Sequence, residues 1–266
     1  MYEKIERLAR VAGQIMLEAV GKINSICEKS SNSDIVTEYD LKIQEFLEKE
    51  LLKLYPDAGI LGEEGGKAQK LSEIDKEIVF IIDPIDGTTN FVRNFYKSAV
   101  SIALVKDGQV DYGCCYVPYS DEMFTAKRHE GAFCNGKKVM CSDRPIEQSV
   151  VLVGTAPYDK KEMADATFSI MRTLFDNAMD VRRFGSAVID LLDVACGKAE
   201  MFCEMRLSPW DHAAAGLIAQ EAGAIVSDMN GNKLKYDGRS SIVAASGKCY
   251  DFFFNCKEIQ KHSKLF

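Results

Sequence analysis

Ile78-Val79-Phe80-Ile81-Ile82-Asp83-Pro84-Ile85-Asp86-Gly87-Thr88-Thr89 is the stretch from which the rest of the chain can be read. Its first five residues form an uninterrupted apolar run bounded by charge and proline, the pattern of a strand buried on both faces. Such a strand delivers Asp83 to its carboxyl end, where Pro84 is expected to stop further pairing and Gly87 to permit a tight turn. Asp83 and Asp86 then share one short turn with a Gly-Thr-Thr stretch that offers backbone N–H groups. Carboxylates suit hard cations such as Mg²⁺, and N–H groups at a helix start suit phosphate oxygens. Asp-Pro and Asp-Gly are also ordinary turn formers, so this segment alone leaves a plain turn and a metal-assisted phosphate site equally open.

The chain has 266 residues, enough for one large α/β domain or two lobes sharing a face. Hydrophobic residues at 47% supply a core, and 27% charged residues are ordinary for a globular protein. A net charge of −7 argues against nucleic-acid binding as a main role. The start, Met1-Tyr2-Glu3-Lys4-Ile5-Glu6-Arg7, has no apolar signal core, and no stretch is long enough to span a bilayer. Nine scattered cysteines without a Cys-x-x-Cys pair read as reduced, mostly buried thiols of a cytoplasmic protein, with Cys114 and Cys115 on opposite faces of a strand. Three histidines show no zinc spacing among them.

Helical spacing of Ile5, Leu8, Ala9, Ala12, Ile15, Met16 and Ala19 gives a first helix. Ile43, Phe46, Leu47, Leu51 and Leu54 give a second, ending near Tyr55-Pro56. Ser98 to Lys106, Asp107-Gly108 and Gln109 to Tyr116 read as a hairpin with a primed turn. Turns at Gly131 and Asn135-Gly136 continue an antiparallel sheet to about Cys141. Beyond it strands and helices alternate: Val150 to Val153, Lys160 to Phe175, a strand, Ser186 to Cys196, Glu200 to Cys203, another helix, and a helical end past Gly247. The expected organisation is therefore an α+β half over 1–141 and an α/β half over 142–266, fused as one compact unit.

Three further acidic clusters accompany the first. Gly62-Glu63-Glu64-Gly65-Gly66 places two acids in a loop expected to be mobile, or simply solvated. Ser208-Pro209-Trp210-Asp211 precedes Ala213-Ala214-Ala215-Gly216, so Asp211 is either a capping acid or a ligand at a helix start. Thr37 and Asp40 present the same choice within Asp34-Ile35-Val36-Thr37-Glu38-Tyr39-Asp40. Glu204 reads most simply as a solvated strand end, and Gly185-Ser186-Ala187 as a helix cap.

In this order the segments resemble the inositol monophosphatase family, whose patterns Asp-x-x-Thr-x-x-Asp, Gly-Glu-Glu, Asp-Pro-Ile-Asp-Gly-Thr-x-Asn-Phe and Trp-Asp-x-Ala-Ala-x-Gly match Asp34–Asp40, Gly62–Glu64, Asp83–Phe91 and Trp210–Gly216. The resemblance covers nearly the whole chain. It implies a layered α-β-α-β-α sandwich, mixing α/β and α+β parts, of the sugar and inositol phosphatase type. It also implies metal ligands at Glu63, Asp83, the Ile85 carbonyl, Asp86 and Asp211, holding two or three Mg²⁺ ions with Mn²⁺ as a possible substitute. Glu63 and Thr88 would orient the attacking water, with Asp40 supporting Thr88. Gly87 and Thr88 would meet the phosphate, while Gly185, Ser186, Ala187, Glu204 and Asp211 would contact the polyol. Where many members carry a His-Gly-x-Pro-like stretch this chain has Arg93-Asn94-Phe95-Tyr96, a departure bearing on substrate fit or subunit contact.

The chemistry makes the same demand independently. A phosphate monoester dianion repels its nucleophile, and two divalent ions bridged by a carboxylate neutralise charge, activate water and stabilise the leaving oxygen. The implied activity is lithium-sensitive hydrolysis of myo-inositol monophosphate or a similar small polyol or sugar phosphate, by a homodimer that meets no membrane. Fructose 1,6-bisphosphate or 3′-phosphoadenosine 5′-phosphate are alternative substrates for the same site. A non-catalytic regulatory member is a further alternative.

Overall fold

The computed structural model describes residues 2–23, 26–31, 34–64 and 70–266. The amino-terminal part runs α1 (Tyr2–Ala19), β1 (Ile26–Ser31), β2 (Asp34–Thr37), α2 (Glu38–Leu54), β3 (Gly59–Gly62), β4 (Ile78–Asp86) and α3 (Thr88–Val92). It continues through β5 (Ala99–Lys106), β6 (Gln109–Val117), β7 (Glu122–Lys127), β8 (Gly131–Cys134) and β9 (Lys137–Val139). After that come β10 (Val150–Val153), α4 (Lys160–Asn177), β11 (Asp180–Arg182), α5 (Ala187–Ala195), β12 (Met201–Leu207) and α6 (Pro209–Glu221). The chain closes with β13 (Ile225–Ser227), β14 (Ser240–Ala245), α7 (Gly247–Asn255) and α8 (Lys257–Gln260).

Two sheets and three helical layers stack as a layered α+β fold. A seven-stranded sheet has the order β3-β4-β5-β6-β7-β8-β9, and a five-stranded one β11-β10-β12-β14-β13. One core cluster packs Ile5, Met16, Ile43 and Leu47 of α1 and α2 against Phe80, Ile82 and Ile102 on one face of the larger sheet. The opposite face, through Ile81, Ala103 and Cys115, packs on Leu191 of α5 and on Ala214 and Ile218 of α6, which also bury Phe202 and Ala244 of the smaller sheet. Outside that sheet, Ile170 and Leu174 of α4 and Phe253 of α7 cover Val151, Cys203 and Val243. The central cluster thus draws on both sides of residue 141. Cys114 and Cys115 fall in different clusters, as alternation along a strand requires. All nine cysteines are free; four are buried, four half-buried, and Cys27 is exposed.

The turn at Asp107-Gly108, with both φ positive (50° and 71°), makes the expected primed hairpin. The expectation at Pro84 needs correction, because β4 continues to Asp86. Asp83 pairs with Ser101, and pairing resumes at Asp86 with Ala99 after a register shift. Proline removes one ladder hydrogen bond, and a bulge absorbs that loss without ending the strand. Several strands were not anticipated from the sequence, among them β13 and β14, which pair antiparallel in the smaller sheet. β3 lies parallel to β4 at the sheet edge, and β1 pairs with β2 as a separate ribbon. Gly65 and Gly66, expected in a mobile loop, lie outside the described residues. No described helix is long and apolar enough to cross a membrane.

Candidate active site

The bulge in β4 turns Asp83 and Asp86 toward the same place. The Ile85 N–H donates to Asp83 Oδ1 at 3.0 Å, a local turn that holds the first carboxylate back over the strand. Gly87 follows with φ 85°. A Cβ there would lie 2.9 Å from the Lys97 carbonyl oxygen, so glycine alone fits. From that corner α3 starts, and the Thr88 hydroxyl sits 3.1 Å from Asp40 Oδ1 and 3.2 Å from the Ile85 carbonyl.

Asp40 is a capping acid that also receives Thr88. Its Oδ2 accepts the Thr37 N–H at 2.8 Å and the Thr37 hydroxyl at 2.5 Å, completing the cap of α2, while Oδ1 receives Thr88. Burial pushes the Asp40 carboxyl up to about 6, although the hydrogen bonds from Thr37 and Thr88 pull it down. Asp211 is likewise a cap, accepting the Ser208 N–H at 2.6 Å. The helix start it caps is the one that α6 aims at the β4 bulge. Asp86 accepts the Ser186 hydroxyl, and the Val188 N–H at 2.9 Å, from the start of α5.

These placements bring one carboxylate oxygen each of Asp83, Asp86 and Asp211 within 4.8 Å of one another. Glu63 follows β3, where its N–H donates to the Ile82 carbonyl at 3.2 Å in continuation of the β3–β4 ladder. Its carboxyl reaches Asp83 closely enough for a hydrogen bond. Burial first, and then the charges of Glu63, Asp86 and Asp211, hold Asp83 well above the carboxylate range. Burial raises Asp86 to about 7 against the pull of its hydrogen bonds from Ser186 and Val188. Asp211 is raised by burial and by the Glu63 and Asp86 charges. Crowded acids of this kind are unfavourable unless protonated or neutralised by a cation. With oxygen donors and no thiolate or imidazole among them, the set suits a hard divalent ion.

A cleft of about 620 Å³ opens beside the cluster, lined by Asp86, Gly87, Thr88, Gly185, Ser186, Ala187, Glu204 and Asp211 among others. Asp83 is 1% exposed and lies beneath it. Glu204, expected at a solvated strand end, is instead buried and accepts the Ala156 N–H at 2.8 Å. Burial raises its carboxyl to about 7, with Arg183 countering. Sequence reasoning missed several contributors to the cleft. Ile26 and Ile35 of the β1–β2 ribbon form an apolar wall, Arg183 adds a cation, and Asp190 is a buried acid with Oδ1 unpartnered. Ser186 and Asp190 are four residues apart at the start of a helix, a spacing that places both on one face and signals the second from the first.

Comparison with known proteins points to one family. The sequence pattern described as "Inositol monophosphatase family" matches residues 1–261. The chain is 38% identical to Nus factor SuhB of Vibrio cholerae over 90% of its length and 89% of that protein's. It is 35% identical to human inositol monophosphatase 1, covering 89% of this chain and 86% of the human one. Inositol monophosphatase-II of Staphylococcus aureus, solved with inositol monophosphate bound, superposes with a TM-score of 0.83 at 26% identity, covering 99% of this chain and 95% of that one. The same protein has also been solved with 2′AMP bound.

Proposed function

The chain belongs to the inositol monophosphatase family, and from that premise we propose that it is a divalent-metal-dependent phosphomonoesterase acting on myo-inositol monophosphate or a similar small polyol phosphate. The observation that carries this reading is the convergence of Asp83, Asp86 and Asp211 oxygens within 4.8 Å beside a polar cleft. Glu63, Asp83, the Ile85 carbonyl, Asp86 and Asp211 would hold Mg²⁺, with Mn²⁺ as a substitute. Bound there, such ions supply charge neutralisation and an activated water.

The chain's own groups do the rest. Thr88 has one hydroxyl proton, directed to Asp40 or the Ile85 carbonyl, so its oxygen can accept a hydrogen bond from the attacking water. Asp40, held by Thr37, fixes that orientation. Glu63, within hydrogen-bonding reach of Asp83, would take part in holding the water. Backbone N–H groups at Gly87 and Thr88 face phosphate oxygens. On the leaving-group side Glu204, anchored by Ala156, accepts a polyol hydroxyl, and Gly185, Ser186 and Ala187 shape the wall around it.

The test is hydrolysis of a panel of inositol, sugar and nucleotide phosphates with Mg²⁺. Inositol monophosphate should turn over fastest, lithium should inhibit, Ca²⁺ should compete, and chelator should abolish the rate. Undiminished activity in excess chelator would end the metal reading. The 2′AMP complex of the Staphylococcus aureus relative favours nucleotide monophosphates as the second substrate class to try. The relatives named Nus factor SuhB favour a second role as a partner protein. It is separable, since loss of hydrolysis in Asp83→Asn would leave such a role intact.

A further inference from the structure

Asp86 stands on β4, yet one of its oxygens is taken by a segment a hundred residues later in the chain. Oδ2 accepts both the Ser186 hydroxyl and, at 2.9 Å, the Val188 N–H. Ser186 Oγ in turn accepts the Ile189 N–H at 3.3 Å, so its single proton goes to Asp86 while a lone pair caps α5. Asn90 ties the same two segments together from the other side. Its amide donates to the Lys97 carbonyl at 2.8 Å and to the Phe184 carbonyl at 2.9 Å, and the residue is almost fully buried. Between the two ties lies Gly87, whose Cβ position would be 3.2 Å from Ser186 Cβ and 3.3 Å from the Gly185 carbonyl oxygen. The corner that starts α3 and the corner that starts α5 are therefore clamped against each other with no room for a side chain.

With Oδ2 already accepting two hydrogen bonds, Oδ1 is the Asp86 oxygen left for a cation. We propose that Ser186 is a positioning residue for Asp86. Its hydroxyl selects the oxygen that Asp86 offers to a divalent ion, and Asn90 clamps the turn that carries it. This rests on the metal-dependent reading above and adds a role for Ser186 that acts through Asp86 rather than on the substrate. It also makes the start of α5 one mechanical unit with the metal cluster, so a disturbance at Ser186 is felt first as weaker metal binding. A hydroxyl is needed there, which predicts that threonine, which keeps it, can replace serine.

The test uses Mn²⁺ as the probe and needs no substrate. Calorimetric titration of the full chain with Mn²⁺ should show about tenfold weaker binding in Ser186→Ala than in the parent, and parent-like binding in Ser186→Thr. In steady-state assays the Mg²⁺ concentration for half-maximal rate should rise in Ser186→Ala, while KM at saturating Mg²⁺ stays near the parent value. Ser186→Ala that binds Mn²⁺ like the parent but shows a raised KM at saturating Mg²⁺ would overturn the inference, because Ser186 would then be a substrate contact. Should Ser186→Ala fail to fold, Ser186→Cys, with its weak donor, should also bind Mn²⁺ less tightly, and parent-like affinity there overturns the inference equally. A parent chain that binds no Mn²⁺ sinks the metal reading itself, and this outcome is distinguishable from the others.

Discussion

Asp211 shows how one carboxylate serves two ends. It accepts the Ser208 N–H and so caps α6, and it lies among acids whose charges raise its own proton affinity. Asp211→Asn separates the two roles, since an amide oxygen still accepts the cap hydrogen bond but brings no charge to a Mg²⁺ site. Turnover is expected to fall about a hundredfold or more, from the loss of several kcal/mol of transition-state stabilisation. In chelator the variant should melt higher than the parent, because a crowded buried charge has gone. Steady-state rates against Mg²⁺ and thermal unfolding on the same samples check both halves. A variant that turns over like the parent would leave Asp211 as a cap only. Asp83→Asn should lose more activity, since the charges of Glu63, Asp86 and Asp211 all act on Asp83.

At the scale of elements, α6 matters because it carries Asp211 to the β4 bulge while lying between the two sheets. Its small-residue run Ala213-Ala214-Ala215-Gly216 lets it approach β6 closely, where a Cβ on Gly113 would come 2.6 Å from the Ala214 carbonyl oxygen. Gly113→Val should therefore push α6 away from the sheet. The expected cost is about 1–3 kcal/mol of stability from overpacking, together with weaker Mn²⁺ binding as Asp211 shifts. Unfolding midpoints and a Mn²⁺ titration measure the two effects. Loss of stability with unchanged metal affinity would show that the position of α6 is not what places Asp211.

At the scale of the whole molecule, the site gathers unfavourable charge that a bound cation would relieve. Asp40, Asp86 and Glu204 have folded-state values raised to about 6, 7 and 7 from ordinary values of 3.8, 3.8 and 4.5. The folded chain then binds protons more tightly than the unfolded chain between about pH 4 and 7, so metal-free stability must fall as pH rises through that window. In chelator the melting temperature should be higher near pH 5 than near pH 8. Saturating Mg²⁺ should remove most of that difference by stabilising the ionised acids at the higher pH. Melting curves across pH with and without Mg²⁺ test this, and a metal-free protein that is more stable at pH 8 would contradict it.

The sequence by itself determined the long helices, the buried strand that leads into Asp83, the hairpin at Asp107-Gly108, the candidate caps at Thr37 and Ser208, and the four acidic segments. Each of these is written in local periodicity or turn chemistry, which a short window of residues contains. The bulge across Pro84, the edge strand β3 and the β1–β2 ribbon depended on pairing partners elsewhere in the chain, so local signals did not reveal them. The burial of Glu204 depended on Ala156, which lies forty-eight residues away in sequence. Arg183, between β11 and α5, took on meaning only once the fold placed it in the cleft with Asp190 of α5 and Glu204 of β12. For Asp40 and Asp211 the sequence posed a choice between cap and ligand, and the tertiary structure shows that capping leaves room for a second contact, because a carboxylate has two oxygens. At Asp40 the fold sends one to its own helix and the other to Thr88.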